Sequence, residues 1–147
     1  MTDPHVMTPG HAPTPFTASE IRDGCPSGRQ VTTRITDDTG DISTTVTTFR
    51  DVDEAGAIFA TGSGNHRVTW EDLQAHASFP AADTTIGAEI IETPLGVLEC
   101  MVYTVVRPPE LHRLWFARDL PGMPIRTEVS VDGHVITRTE VIANSIE

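Results

Sequence analysis

From Arg29 onward the chain alternates β-branched or apolar residues with polar ones at period two, and no other feature constrains its fold as strongly. Val31, Thr33 and Ile35 alternate with Thr32, Arg34 and Thr36. After Asp37-Asp38-Thr39-Gly40, the residues Ile42, Thr44, Val46 and Thr48 alternate with Ser43, Thr45 and Thr47. Successive side chains on a strand point to opposite faces, so each run can lay one row on a core and the other toward water. Threonine recurs because its branched Cβ suits a pleated, half-wet surface. Together the two runs predict a hairpin.

Further strands are predicted over residues 57–61, 84–92, 97–106, 113–118, 125–131 and 135–142. Turn residues separate them: Gly62-Ser63-Gly64-Asn65, Thr93-Pro94-Leu95-Gly96, Pro108-Pro109, Asp119-Leu120-Pro121-Gly122 and Asp132-Gly133, the last a strong hairpin signal. Two short helices interrupt the pattern. Thr17 and Glu20 form a capping box behind Phe16, and Gly24 stops the helix that follows. Thr69 and Asp72 cap a second one, with Trp70, Leu73 and Ala77 on one face. The expected architecture is mainly β: one strongly curved antiparallel sheet, or a small β-barrel, built as a meander. The second helix would plug an end or a concave face. Residues 1–15 are Pro, Thr, His and Gly with little to bury and are expected as a flexible arm; residues 16–147 form one domain.

Composition narrows the partners. The net charge is −11, and every basic residue is arginine. So negative a surface repels phosphate backbones and anionic lipid heads, which argues against nucleic acid and membrane as partners. No apolar run approaches the roughly 20 residues that span a bilayer. The N-terminus has no basic stretch followed by an apolar one, so a cytoplasmic location is expected. Cys25 and Cys100 show no metal or redox spacing.

Several local patterns resolve into turns. Asp51-Val52-Asp53-Glu54-Ala55-Gly56 begins like a calcium loop but has Ala55 at position five and Gly62 at position twelve. Gly62-Ser63-Gly64 lacks the context of a nucleophile elbow or a phosphate loop. The histidines contain no HExxH or HxH. No metal, nucleotide or flavin site is indicated, and no cofactor is expected.

Thr93-Pro94-Leu95-Gly96-Val97-Leu98-Glu99-Cys100-Met101-Val102-Tyr103 is followed by Leu114-Trp115-Phe116-Ala117 and by Leu120-Pro121-Gly122-Met123-Pro124-Ile125-Arg126. These segments resemble a pattern of uncharacterised bacterial domains similar to the curved half-barrels of lipoprotein carriers of the LolA type. The resemblance covers about the C-terminal half. It implies a curved sheet and, at most, an apolar ligand on its concave face.

The leading functional expectation is therefore a domain that binds a hydrophobic or amphipathic small molecule. Trp70, Tyr103, Trp115 and Met123 would form walls, and Arg113 a polar anchor. A second reading is a cofactor-free cyclase or isomerase, with Tyr103, Glu99 or His76 moving a proton. A third is a homodimeric interaction module joined through sheet edges. Glu99 shares a strand face with Met101 and Tyr103, while Leu98, Cys100 and Val102 share the other. Which face is concave is left to the structure.

Overall fold

The structure is a computed structural model that describes residues 3–146; Met1 and Thr2 of the arm and Glu147 of the domain lie outside the described residues. Among the described residues nine strands form a single antiparallel sheet. They are β1 (Arg29–Asp37), β2 (Ile42–Arg50), β3 (Gly56–Thr61), β4 (Gly64–Thr69), β5 (Thr84–Thr93), β6 (Gly96–Arg107), β7 (Glu110–Ala117), β8 (Arg126–Val131) and β9 (His134–Ile146). Their order across the sheet is β4-β3-β2-β1-β9-β8-β7-β6-β5. Two meanders therefore meet where β1 pairs with β9, and the sheet stays open at β4 and β5. Of the two expected forms, the curved sheet is present and the closed barrel is not. Eight strands are the expected ones with ends shifted by up to four residues, Arg118 and Ile125 falling outside β7 and β8; β4, which takes in His66-Arg67-Val68, is the ninth.

Local chemistry shapes the connections. Asp132 and Gly133 both take positive φ, 51° and 81°, as a two-residue hairpin turn with the right twist requires. Thr17 caps α1 (Ala18–Gly24): its hydroxyl accepts the Glu20 N–H at 3.2 Å, while the Glu20 carboxylate accepts the Thr17 N–H at 3.0 Å. Thr69 caps α2 (Trp70–Ala75) by accepting the Asp72 N–H at 3.0 Å. The Asp53 carboxylate accepts N–H groups of Ala55 and Gly56, and both its oxygens accept from Arg67 Nη2, so the calcium-like segment is a self-satisfied turn. Hydrogen bonds from Gly56 first, then from Arg67 and Ala55, hold the Asp53 carboxyl below the usual range.

The register sorts side chains onto two faces. Tyr103 lies opposite Leu114, Met101 opposite Phe116, and Thr47 opposite Val31, all on the face covered by the helices. There Phe16 and Tyr103 meet Phe116 edge-on, and Phe79 packs against Tyr103. The chain must pass from edge strand β4 to edge strand β5, and it does so through α2 and the segment after it, which closes over this inner face. Burying each large apolar side chain here contributes about 1.5–3 kcal/mol.

Residues 3–15, expected as a flexible arm, are docked. The Ala12 N–H donates to Phe79, and the Ala81 N–H donates to Gly10. Prolines cannot donate, but their carbonyls accept: Tyr103 donates its hydroxyl to Pro13 at 2.6 Å, and Gln74 Nε2 donates to Pro4 at 2.9 Å. Thr14 is 2% exposed, so the arm is part of the packed body. A buried arginine clamps the opposite end. Arg29 Nε donates to Asn144, and its Nη1 donates to the carbonyls of Gly24 and Pro121 and to Cys25 Sγ. Burial pushes the Cys25 thiol up despite the Arg29 charge.

Candidate functional site

The inner face is not filled completely. Between α2 and the sheet lies a cavity of about 320 Å³. Phe49 and Phe59, an edge-on pair from β2 and β3, form one wall with Val68 of β4. Leu114 and Phe116 of β7 form the floor. Leu73, His76 and Ala77 close it from above, and Gly122, Met123 and Pro124 of the β7–β8 loop close its end. The cavity thus joins both meanders, one helix and one loop. Its lining is apolar apart from His76, which is exposed at the rim.

Of the residues expected to bind ligand, Met123 lines this cavity; Trp70, Tyr103, Trp115 and Arg113 do not. Trp70 is buried by the α1–α2 junction, its indole N–H donating to the Asp53 carbonyl at 2.9 Å. Tyr103 sits on the inner face under the arm, 2% exposed. Trp115 lies on the outer face. It is opposite Val102 and Arg126, so it cannot share a wall with Phe116, its neighbour along the strand. Arg113 is on that outer face too and stacks on Trp115 at 5.4 Å, with Arg126 at 5.7 Å from the same ring.

The three expected proton-transfer groups are also dispersed. The Tyr103 hydroxyl is committed to Pro13, and desolvation pushes its pKa up to about 12. Glu99 belongs to the inner-face parity but lies beyond the helices and is exposed. It is four residues from Tyr103 along β6, roughly 13 Å at the rise of a strand. His76 alone of the three reaches the cavity. Among the described residues no cluster of His, Cys, Asp and Glu could hold a metal ion.

Phe49, Phe59, Val68 and Leu114 are the strand residues of the lining that sequence reasoning missed. Strand parity held the signal: once Trp115 is assigned to one face, Leu114 and Phe116 must share the other. The register joining Phe49 to Phe59 is a tertiary fact.

The outer face carries a charged lattice. One row runs Arg34, Glu140, Arg126, Trp115, Val102, Gly87 across six strands, and the next runs Thr36, Arg138, Glu128, Arg113, Thr104, Thr85. Glu140 binds Arg34 at 2.9 Å and Arg126 at 2.8 Å. Trp115 is nonetheless only 4% exposed, because the β5–β6 hairpin bends over it. Arg126 Nη2 donates to the Glu92 carbonyl at 3.1 Å. On a flat sheet those residues would be roughly 14 Å apart across the strands and roughly 17 Å along them. Only a strong curl of the hairpin brings them into contact.

The chain matches no family model and no curated protein. A solved structure from Bacteroides fragilis, of a protein inferred to be exported and having a YmcC-like fold, is similar to it. The identity is 10% and the TM-score 0.47, over 82% of this chain and 97% of that one. That protein's description as exported stands against the cytoplasmic location expected above, and the expectation is withdrawn. No helix among the described residues is long and apolar enough to cross a membrane.

Proposed function

We propose that the protein binds a small hydrophobic or amphipathic molecule on the inner face of its curved sheet, between β7 and α2. The observation that carries this reading is the cavity of about 320 Å³, walled by Phe49, Phe59, Leu73, Leu114 and Phe116 with one ionisable side chain, His76, at its rim. Small-molecule sites are typically concave, apolar and of roughly 300–1,000 Å³, with few polar groups. The resemblance of segments within residues 93–126 to uncharacterised bacterial domains similar to LolA-type half-barrels, which implies at most an apolar ligand on a concave face, is in keeping with it. Larger grooves lie beside Arg34, Asp37 and Arg138 (about 430 Å³), beside Glu89, Glu99 and Arg118 (about 560 Å³) and beside Thr17 and Glu71 (about 520 Å³); all three are open and lined by charged groups, and suit such a ligand poorly.

Titration of isotope-labelled protein with dodecanol and with dodecanoate tests the reading. Backbone amide shifts should move at Leu73, Ala77, Leu114 and Phe116. The response should disappear in Ala77→Leu, which adds bulk to the cavity roof while circular dichroism stays unchanged. If neither probe moves those amides in the wild-type protein, the binding reading fails.

A further inference from the structure

We propose that β5 is a docking edge for a second copy of this chain, pairing antiparallel with the partner's β5 about a two-fold axis at Ala88. Each end of an open sheet exposes unpaired backbone groups, and proteins protect such edges with short strands, charges, bulges or prolines. The edge at β4 is six residues long, carries Arg67 and His66 and runs straight into α2. The edge at β5 has ten residues in unbroken register with β6 and no proline; its two charges are Glu89, which pairs with Arg113, and Glu92 near the hairpin end. Its Ile86 and Ile90 are 42% and 69% exposed.

The hydrogen-bonding phase of this edge can be read directly. Glu92 sends its carbonyl outward to Arg126. Inward and outward residues alternate along an antiparallel strand, so Ile86, Ala88 and Ile90 also direct N–H and C=O away from β6. No backbone group of another element bonds to these three among the described residues. A two-fold axis at Ala88 pairs Ala88 with its own copy and Ile86 with the partner's Ile90, each pair exchanging two hydrogen bonds.

The side chains select that register. It gathers four isoleucines on the inner-face side of the seam, and sets each Glu89 against a Gly87, where an added Cβ would meet nothing within 4 Å. An axis at Glu89 would instead oppose two carboxylates. An axis at Ile90 would put the Glu92 carbonyl that Arg126 already holds in the pair next to the axis, whereas an axis at Ala88 meets it only at the Thr84–Glu92 end, where the Thr84 N–H is already bonded to Ala81. An axis at Ile86 would carry half the strand past its partner's start. The Glu89 charge is itself offset by Arg113 at 3.8 Å, which lowers the cost of bringing two acidic chains together at this point.

Sedimentation equilibrium of the full chain at millimolar concentration should give twice the 15.9 kDa chain mass, falling to the single mass in Ile90→Lys with unchanged circular dichroism. Under oxidising conditions Ala88→Cys should form a covalent dimer, because facing residues of such a pair bring Cα atoms within disulfide range. Ile90→Cys alone should not, since its symmetry mate lies four residues out of step. A wild-type protein that stays monomeric at millimolar concentration overturns the proposal. So does a dimer that neither Ile90→Lys nor Ala88→Cys affects.

Discussion

Tyr103 and Trp115 occupy adjoining strands one register step apart and point to opposite faces of the sheet, because Tyr103 lies opposite Leu114 and Trp115 opposite Val102. The inner face is organised around aromatic packing and an apolar cavity. The outer face is organised around arginine, glutamate and a hairpin that folds over a single indole. Each has its own testable consequences.

Tyr103 is the only tyrosine in the chain, so its titration can be followed by tyrosinate absorbance without interference. In the folded protein its pKa stands at about 12, while the unfolded chain releases the proton near the usual value of about 10. Above the lower value the unfolded state binds fewer protons than the folded one, so stability must fall with rising pH. This contribution is fully present below pH of about 10 and lost as pH rises toward about 12. Urea midpoints should therefore decline across that window in the wild-type protein and decline less in Tyr103→Phe. At neutral pH the same variant should be less stable by about 1 kcal/mol, the net worth of its bond to Pro13.

Gln74 is a buried connector, 5% exposed. Its Oε1 accepts the Ala18 N–H at 2.9 Å, and its Nε2 donates to Pro4 and to Thr14 Oγ1. Gln74→Met keeps the shape but takes the partner from the Ala18 N–H and the Pro4 carbonyl and leaves the Thr14 hydroxyl only its bond to Phe16, which should cost about 1–2 kcal/mol. Hydrogen exchange should show the loss as faster exchange at Ala12 and Ala18 before any strand of the sheet responds.

Arg126 ties the β5–β6 hairpin to the outer face through the Glu92 carbonyl and stacks on Trp115. Arg126→Met should free the hairpin without unfolding the sheet. In a Trp70→Phe background, where Trp115 is the sole indole, its emission should shift to the red as water reaches the ring. An unchanged emission maximum would mean that the apolar contacts of Ile91, Leu95 and Leu98, with the Glu89 links to Trp115 and Arg113, hold the hairpin without Arg126.

Gly56 opens β3 against β4, where a Cβ would lie 1.9 Å from the Val68 carbonyl oxygen. Backbone cannot yield as a flexible side chain can, so Gly56→Ala should destabilise by on the order of 3 kcal/mol or prevent β3–β4 pairing. Gly62, in the neighbouring turn, has nothing within 4 Å of such a Cβ. Gly62→Ala should change stability by no more than about 0.5 kcal/mol, as comparison of thermal midpoints would show.

The amino-acid sequence by itself determined the elements: period-two runs, the Asp132-Gly133 turn and the Thr17 and Thr69 caps are local, and local sterics and hydrogen bonding are enough to set them. What it could not determine was the pairing of β1 with β9, since strands far apart in the chain are matched only by the shared core they enclose. That pairing fixes the open edges, the passage of α2 across the inner face and the gap left beneath it. For the same reason Trp70, Tyr103, Trp115 and Arg113, all of them plausible walls or anchors of a pocket on composition, are distributed over separate surfaces. The cavity instead belongs to Phe49 and Phe59 of one meander and Leu114 and Phe116 of the other, two pairs that only the long-range joining of β1 to β9 brings together.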